Sequence, residues 1–230
     1  MKQRHLKLFC LNAILAAVIS LPVVGCKSSS GYSQADKTGE GIHTVRNDIT
    51  NIKTAVDGSI KALDDVVAAG NTDPRKPYEA FAKSVDTVDA AGNTAKKDAE
   101  KMRASAAAYF QQWEKQMDTV KSEEIKKMSQ ERKAKLQETF DNIKNAAADA
   151  KESFPGFLSD LKDLRTALGS DLSPQGIDSS KGIIEKTKNS GAQVQKDLDK
   201  LITEMNSVAE AITAAKAQTT KPKPMESPKS

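Results

Sequence analysis

Residues 42–66 read Ile-His-Thr-Val-Arg-Asn-Asp-Ile-Thr-Asn-Ile-Lys-Thr-Ala-Val-Asp-Gly-Ser-Ile-Lys-Ala-Leu-Asp-Asp-Val. The apolar members Ile42, Val45, Ile49, Ile52, Val56, Leu63 and Val66 recur at alternating steps of three and four, with Ser59 the one interruption. Such a stripe is the mark of a helix with one buried face. The helix it predicts, over about 34–69, extends roughly 54 Å at 1.5 Å per residue, and one narrow stripe cannot hold a rod of that length in water. Partner helices are required.

The rest of the chain supplies them. Gly70-Asn71-Thr72-Asp73-Pro74 is a stop signal of turn formers closed by a proline, and Pro77 suits the first turn of a second helix. Its seam holds Tyr78, Phe81, Val85, Val88, Gly92, Ala95, Ala99, Met102, Ala106, Tyr109, Trp113 and Val120. Small residues through the middle imply close approach of a neighbouring helix. Ser122 is the expected cap of a third helix. That helix carries Leu136, Phe140, Ile143, Ala147, Ala150, Phe154, Phe157, Leu161, Leu164 and Leu168, with a kink expected at Pro155 and an end at Gly169. Ser173-Pro174 opens a fourth, with Ile177, Ile184, Val194, Leu198, Leu201, Met205, Val208 and Ile212 on its seam and Thr187 and Gly191 as gaps. The expected fold class is all-α: an elongated antiparallel helical bundle or coiled coil of about four long helices over 34–215. A disordered basic Lys/Pro tail is expected over 216–230.

Composition agrees with helices. Of the 230 residues 29% are charged, 38% hydrophobic and only 4% aromatic, a balance that suits amphipathic rods better than a thick globular core. Two cysteines, Cys10 and Cys26, and two histidines, His5 and His43, exclude both a disulfide framework and a His/Cys metal site.

The N-terminal segment has the three parts of a secretory leader. Lys2, Arg4 and Lys7 precede an uncharged apolar run from Leu8 to Val24, and Pro22, Gly25 and Cys26 break the run where a membrane span would continue. Val23-Val24-Gly25-Cys26 resembles the bacterial lipobox. Residues 1–25 are then a signal peptide with Val23, Val24 and Gly25 as the peptidase recognition residues, and Cys26 is the lipidation site, carrying palmitate-type acyl chains into the bilayer. Residues 26–33 form a lipidated tether. By similarity to proteobacterial sorting, Lys27 points to the outer membrane, facing the periplasm. Removal of the leader lowers the net charge from +4 to +1, so nucleic acid is not an expected partner.

Phe110-x-x-Trp113-Glu114, Ser129-x-Glu131-Arg132 and Phe157-Leu158-x-x-Leu161-x-x-Leu164-x-x-x-Leu168 follow one another along the second and third helical stretches. On these motifs the chain resembles, between about residues 73 and 177, the bacterial domain of unknown function 2959 family. The likeness implies a largely helical, leader-bearing envelope protein and no particular activity or ligand.

Other features divide between a function and a plain structural role. Tyr109, Phe110 and Trp113 offer a stacking platform, but at helical spacing they read as core. Lys121 to Lys135 holds six cations and three acids, a candidate surface for anionic lipid or cell-wall polymer and more simply a solvated helix face. Lys221, Lys223 and Lys229 are the candidate surface-binding residues of the tail. His43 has no orienting partner on its side of the helix. There is no Glu-x-x-His pair, Gly-x-Ser-x-Gly elbow or Gly-rich phosphate loop, so neither catalysis nor a cofactor is expected. The first expectation is a non-enzymatic, membrane-anchored structural or interaction module engaging an envelope protein or cell-wall polymer, with homo-oligomerisation open. The alternative is a helical lipid carrier or periplasmic chaperone with an apolar groove between its helices.

Overall fold

The computed structural model describes residues 31–220, with side chains from 33 to 211. The chain forms α1 (Gly31–Ala68), α2 (Arg75–Asp118), α3 (Glu123–Ser170) and α4 (Pro174–Thr220), with no strand among the described residues. Short turns reverse the chain each time, giving an up-down-up-down antiparallel bundle. Each helix touches only its two neighbours around the ring; α1 packs most closely on α2 and α3 on α4, while α1 meets α4 and α2 meets α3 along looser seams.

The seams explain this order. On α1 the buried positions are Ala35, Thr38, Ile42, Val45, Ile49, Ile52, Val56, Ser59, Leu63 and Val66, an unbroken three-four alternation to which Ala55 is added. On α4 they are Ile177, Ser180, Ile184, Thr187, Gly191, Val194, Leu198, Leu201, Met205 and Val208, equally regular. Four buried hydroxyls satisfy themselves within their own helix: Thr38 Oγ1 donates to the Gln34 carbonyl at 2.9 Å, Ser59 Oγ to Val56 at 2.8 Å, Ser180 Oγ to Gly176 at 2.9 Å and Thr187 Oγ1 to Ile183 at 2.8 Å. Polar residues therefore sit in the stripe without leaving an unpaired group.

Helix ends follow local chemistry. Ser122 caps α3, its side chain accepting from the Ile125 amide at 3.3 Å. Ser173 Oγ accepts from the Gly176 amide at 3.1 Å ahead of α4. At the start of α2 the Asp73 carboxylate accepts from the Arg75 amide at 3.2 Å and from its guanidinium at 2.8 and 3.0 Å. Side-chain acceptors thus take up amides that a helix start leaves free.

Four expectations shift. Val120 is not on the α2 seam, because the helix stops at Asp118 and Val120 belongs to the turn. On α3 the alanine buried beside Ile143 is Ala146, with Ala150 a turn further on, and Ala147 is only half-buried. Gly169 does not end α3, which runs to Ser170; a Cβ there would displace Tyr78 Oη, which donates to the Arg165 carbonyl at 3.0 Å. At the termini, α1 starts at Gly31 rather than near Gln34, and α4 reaches Thr220 rather than stopping before Lys216, since the first helix-breaking residue of that stretch is Pro222. Pro155 lies inside α3, which continues through it, so the Lys151 carbonyl loses its usual intrahelical donor.

Candidate functional site

Polar bridges join α2 to α3 at two places only. Towards the loops of 69–74 and 171–173, Asp86 pairs with Arg165 and Asp89 with Lys162, each at 2.6 Å. Towards the α2–α3 turn, Trp113 Nε1 donates to Ser129 Oγ at 2.7 Å and Glu114 pairs with Lys133. Between Asp89 and Trp113, about 36 Å of helix at 1.5 Å per residue, no hydrogen bond or ion pair crosses from α2 to α3 among the described residues.

That interval holds a cleft of about 640 Å³, open to solvent on one side. Ala95, Ala99 and Ala106 line it from α2, Ile143, Ala147 and Ala150 from α3, and Val45, Ile49, Leu198, Leu201 and Met205 from α1 and α4 behind. Phe110 and Phe140 close one end, ring centroids 5.6 Å apart and edge to face. At the other, the Phe154 ring lies on Gly92, where a Cβ would come within 2.7 Å of it. Large rings thus hold the two helices apart at the ends, and alanines facing alanines cannot fill the space between.

Charged side chains form the lips. In the antiparallel register set by the end bridges, Lys96 of α2 stands near the level of Lys151 of α3, and Arg103 near Lys144. All four are exposed and none has an ion-pair partner. Asp89, Glu100 and Asp141 also reach the lining, the first already matched by Lys162. Four cations against two unmatched acids leave the mouth net positive.

Behind the cleft, Asp48 of α1 and Asp98 of α2 share a hydrogen bond. Burial first, then the charge and hydrogen bond of Asp98, push the Asp48 carboxyl above the usual range, with Lys101 opposing. Asp98 is held below it by the hydrogen bond from Lys101, at 2.5 Å. Asp48 Oδ2 is buried and takes no hydrogen bond from an N–H or hydroxyl donor.

Of the residues singled out from sequence, Val23, Val24, Gly25 and Cys26 and the tail lysines Lys221, Lys223 and Lys229 lie outside the described residues. His43 is exposed on α1. Tyr109, Phe110 and Trp113 do come together, Tyr109 lying 5.5 Å from Phe110 and 5.6 Å from Trp113 by ring centroid. They pack half-buried against the core. Burial raises the Tyr109 hydroxyl above its ordinary value, with Arg132 opposing. Phe110 alone of the three faces the cleft. Sequence reasoning named a groove without placing it. The signal was the run of alanines, which permits two outcomes. Towards α1 the helices do approach closely, a Cβ on Gly41 standing 3.5 Å from the Met102 backbone; towards α3 the same small residues leave the cleft. Among the described residues no three His, Cys, Asp or Glu side chains converge to hold a metal ion, and no helix is long and apolar enough to cross a membrane.

Fold and site together define a class: antiparallel four-helix bundles with an apolar side cleft. The chain belongs to the family described as protein of unknown function (DUF2959), whose model matches residues 26–217. The match extends well beyond 73–177 and takes in all of α1, α2 and α3 and nearly all of α4. Comparison with curated proteins gives no match, and comparison with solved structures gives none either.

Proposed function

We propose that this protein is a lipid-anchored component of the bacterial cell envelope, held through Cys26 and facing the periplasm. Its bundle carries an amphipathic guest in the α2–α3 cleft, acyl chain inward, without catalysing a reaction on it. The cleft is the observation that carries this. Its volume falls within the roughly 300–1,000 Å³ of ligand sites, its lining is mainly aliphatic and aromatic, and its mouth is net positive, which suits an anionic head. A rod serving only as a spacer or interaction module gains nothing from an unfilled gap in its core, since each buried apolar group left without neighbours weakens the fold.

The anchor is supported by the cationic start, the apolar run, Val23-Val24-Gly25-Cys26, and a family match that begins at Cys26. Mass spectrometry of the protein from its native host is expected to find a diacylglyceryl thioether on an N-terminal Cys26.

The carrier reading is tested by displacement of a fluorescent fatty acid from residues 31–220. Saturable binding is expected, and Ala147→Leu, which fills the cleft, is expected to abolish it while raising stability by about 1 kcal/mol through added apolar burial. No binding by the parent chain, or undiminished binding by the variant, sinks the carrier reading.

A further inference from the structure

Ile125 and Met128 are 53% and 59% exposed, two of the three large apolar side chains that stand in solvent among the described residues. The third, Ile183, lies on α4 towards the opposite end of the bundle. With Arg132 and Lys135 the pair forms a row at steps of three, four and three, so all four share one outward face at the start of α3, and Lys121 stands exposed in the turn before it. An apolar pair bracketed by cations is the pattern of an interfacial helix face, in which apolar groups enter the headgroup boundary and basic groups meet lipid phosphates.

The charges of this tip are free to serve that purpose. Lys126 and Lys133 are taken up by Glu123 and Glu114. Lys115, Lys121, Lys127, Arg132 and Lys135 have no ion pair, against Asp118, Glu124 and Glu131, which leaves the exposed tip at a net +2. Two copies of the chain brought tip to tip would oppose like charges, so the complementary surface is an anionic one. The position fits as well. Thr38 and Gly41 of α1 lie against Ser105 and Met102 of α2, so the start of α1 is at the same end of the bundle as the α2–α3 turn.

We infer that the α2–α3 hairpin tip is a docking surface for an anionic lipid bilayer, with Ile125 and Met128 entering its interface and Lys121, Lys127, Arg132 and Lys135 contacting its phosphates. The inference needs neither the acyl anchor nor the cleft. It gives the tip a contact of its own, separate from the cleft further along the same two helices.

Residues 31–220 contain all four helices and the whole described core, and they lack both Cys26 and the Lys/Pro tail, so this segment is the right probe. In sedimentation with vesicles of phosphatidylglycerol and phosphatidylcholine it is expected to bind, to bind pure phosphatidylcholine far less, and to release as salt rises. Ile125→Ser with Met128→Ser is expected to lower the partition coefficient about tenfold. Each of Lys127→Ala, Arg132→Ala and Lys135→Ala is expected to lower it about fivefold. Lys76→Ala and Lys83→Ala, at the opposite end, are expected to leave it unchanged. Failure to bind anionic vesicles, equal binding by the Ile125/Met128 variant, equal loss from the distal pair, or a dimer in solution that the Ile125/Met128 variant dissolves each overturns the inference.

Discussion

Along α2 and α3 the two halves of the bundle are built on the same repeat and packed to different densities, while Ile42 and Val66 of α1 and Ile184 and Met205 of α4 are buried throughout. Towards the loops of 69–74 and 171–173, Leu63, Val66, Phe81, Val85, Val88, Phe157, Leu161 and Leu168 are sealed from solvent. In the half that ends at the α2–α3 turn, Ala95, Met102, Ala106, Leu136, Ile143 and Ala150 keep 5 to 8% of their surface open although they hold equivalent places on the stripe. The difference is side-chain volume. Phenylalanine and leucine reach across the bundle axis; alanine opposite alanine does not. The stripe sets which side of each helix faces inward, and the volumes along it set whether that interior closes.

The largest expected effect contrasts one residue from each half. Phe157→Ala should cost about 4 kcal/mol, as removal of a ring from a sealed core does, whereas Met102→Ala, beside space already open, should cost about 2 kcal/mol. Urea unfolding measures both. Equal losses would mean that the cleft is filled in solution and the contrast false.

Next comes Gly169→Ala in the sealed half. The methyl cannot coexist with Tyr78 Oη where it stands, so the bond to the Arg165 carbonyl is lost. A net loss of about 1 kcal/mol is expected, despite alanine's better helix propensity. In a Tyr78→Phe background the same substitution should cost markedly less, because the clashing oxygen is gone; an additive double mutant would contradict this packing.

The smallest effect is on the α1–α2 seam behind the cleft. Asp48 keeps its proton to higher pH when folded than when unfolded. Its contribution therefore favours the fold most below about pH 4, near the unfolded value, and fades as pH rises through the raised folded value. Asp48→Asn should be more stable than the parent at pH 7, with the gap closing at about pH 4. A gap that instead widens on acidification would show that the carboxyl is ionised in the native bundle.

Much of this was legible in the chain itself. Alternating steps of three and four located the inward face of α1 at nearly every turn, and Ser122 and Ser173 marked where helices start. Less legible were features that depend on distance rather than direction. Ala95 and Ala99 signal a neighbour drawn close or a space left empty, and only the placement of Phe110, Phe140 and Phe154 at the cleft ends decides that α3 stands off. Gly169 looked like a terminator because glycine often is one; its reason is a tyrosine from a helix far away in sequence. Exposure of Ile125 and Met128 was likewise hidden, since the α2–α3 turn determines how far α3 projects before it gains a second partner.

The ring of neighbours has a consequence for how the molecule assembles and yields. α1 doubles back on α2 and α3 on α4, so the densest contacts join segments adjacent in sequence, an arrangement that favours rapid folding of each pair as a unit. The α1–α4 side is stitched by Lys53 with Asp199, Lys188 with Asp64 at 2.9 Å, and Gln195 with the Lys53 carbonyl at 2.8 Å. The opposite side is tied only at its ends. The bridges at both ends and the short α2–α3 turn keep the two pairs from swinging apart, so the weakest stretch of the bundle is the middle of that side, held between two clamps.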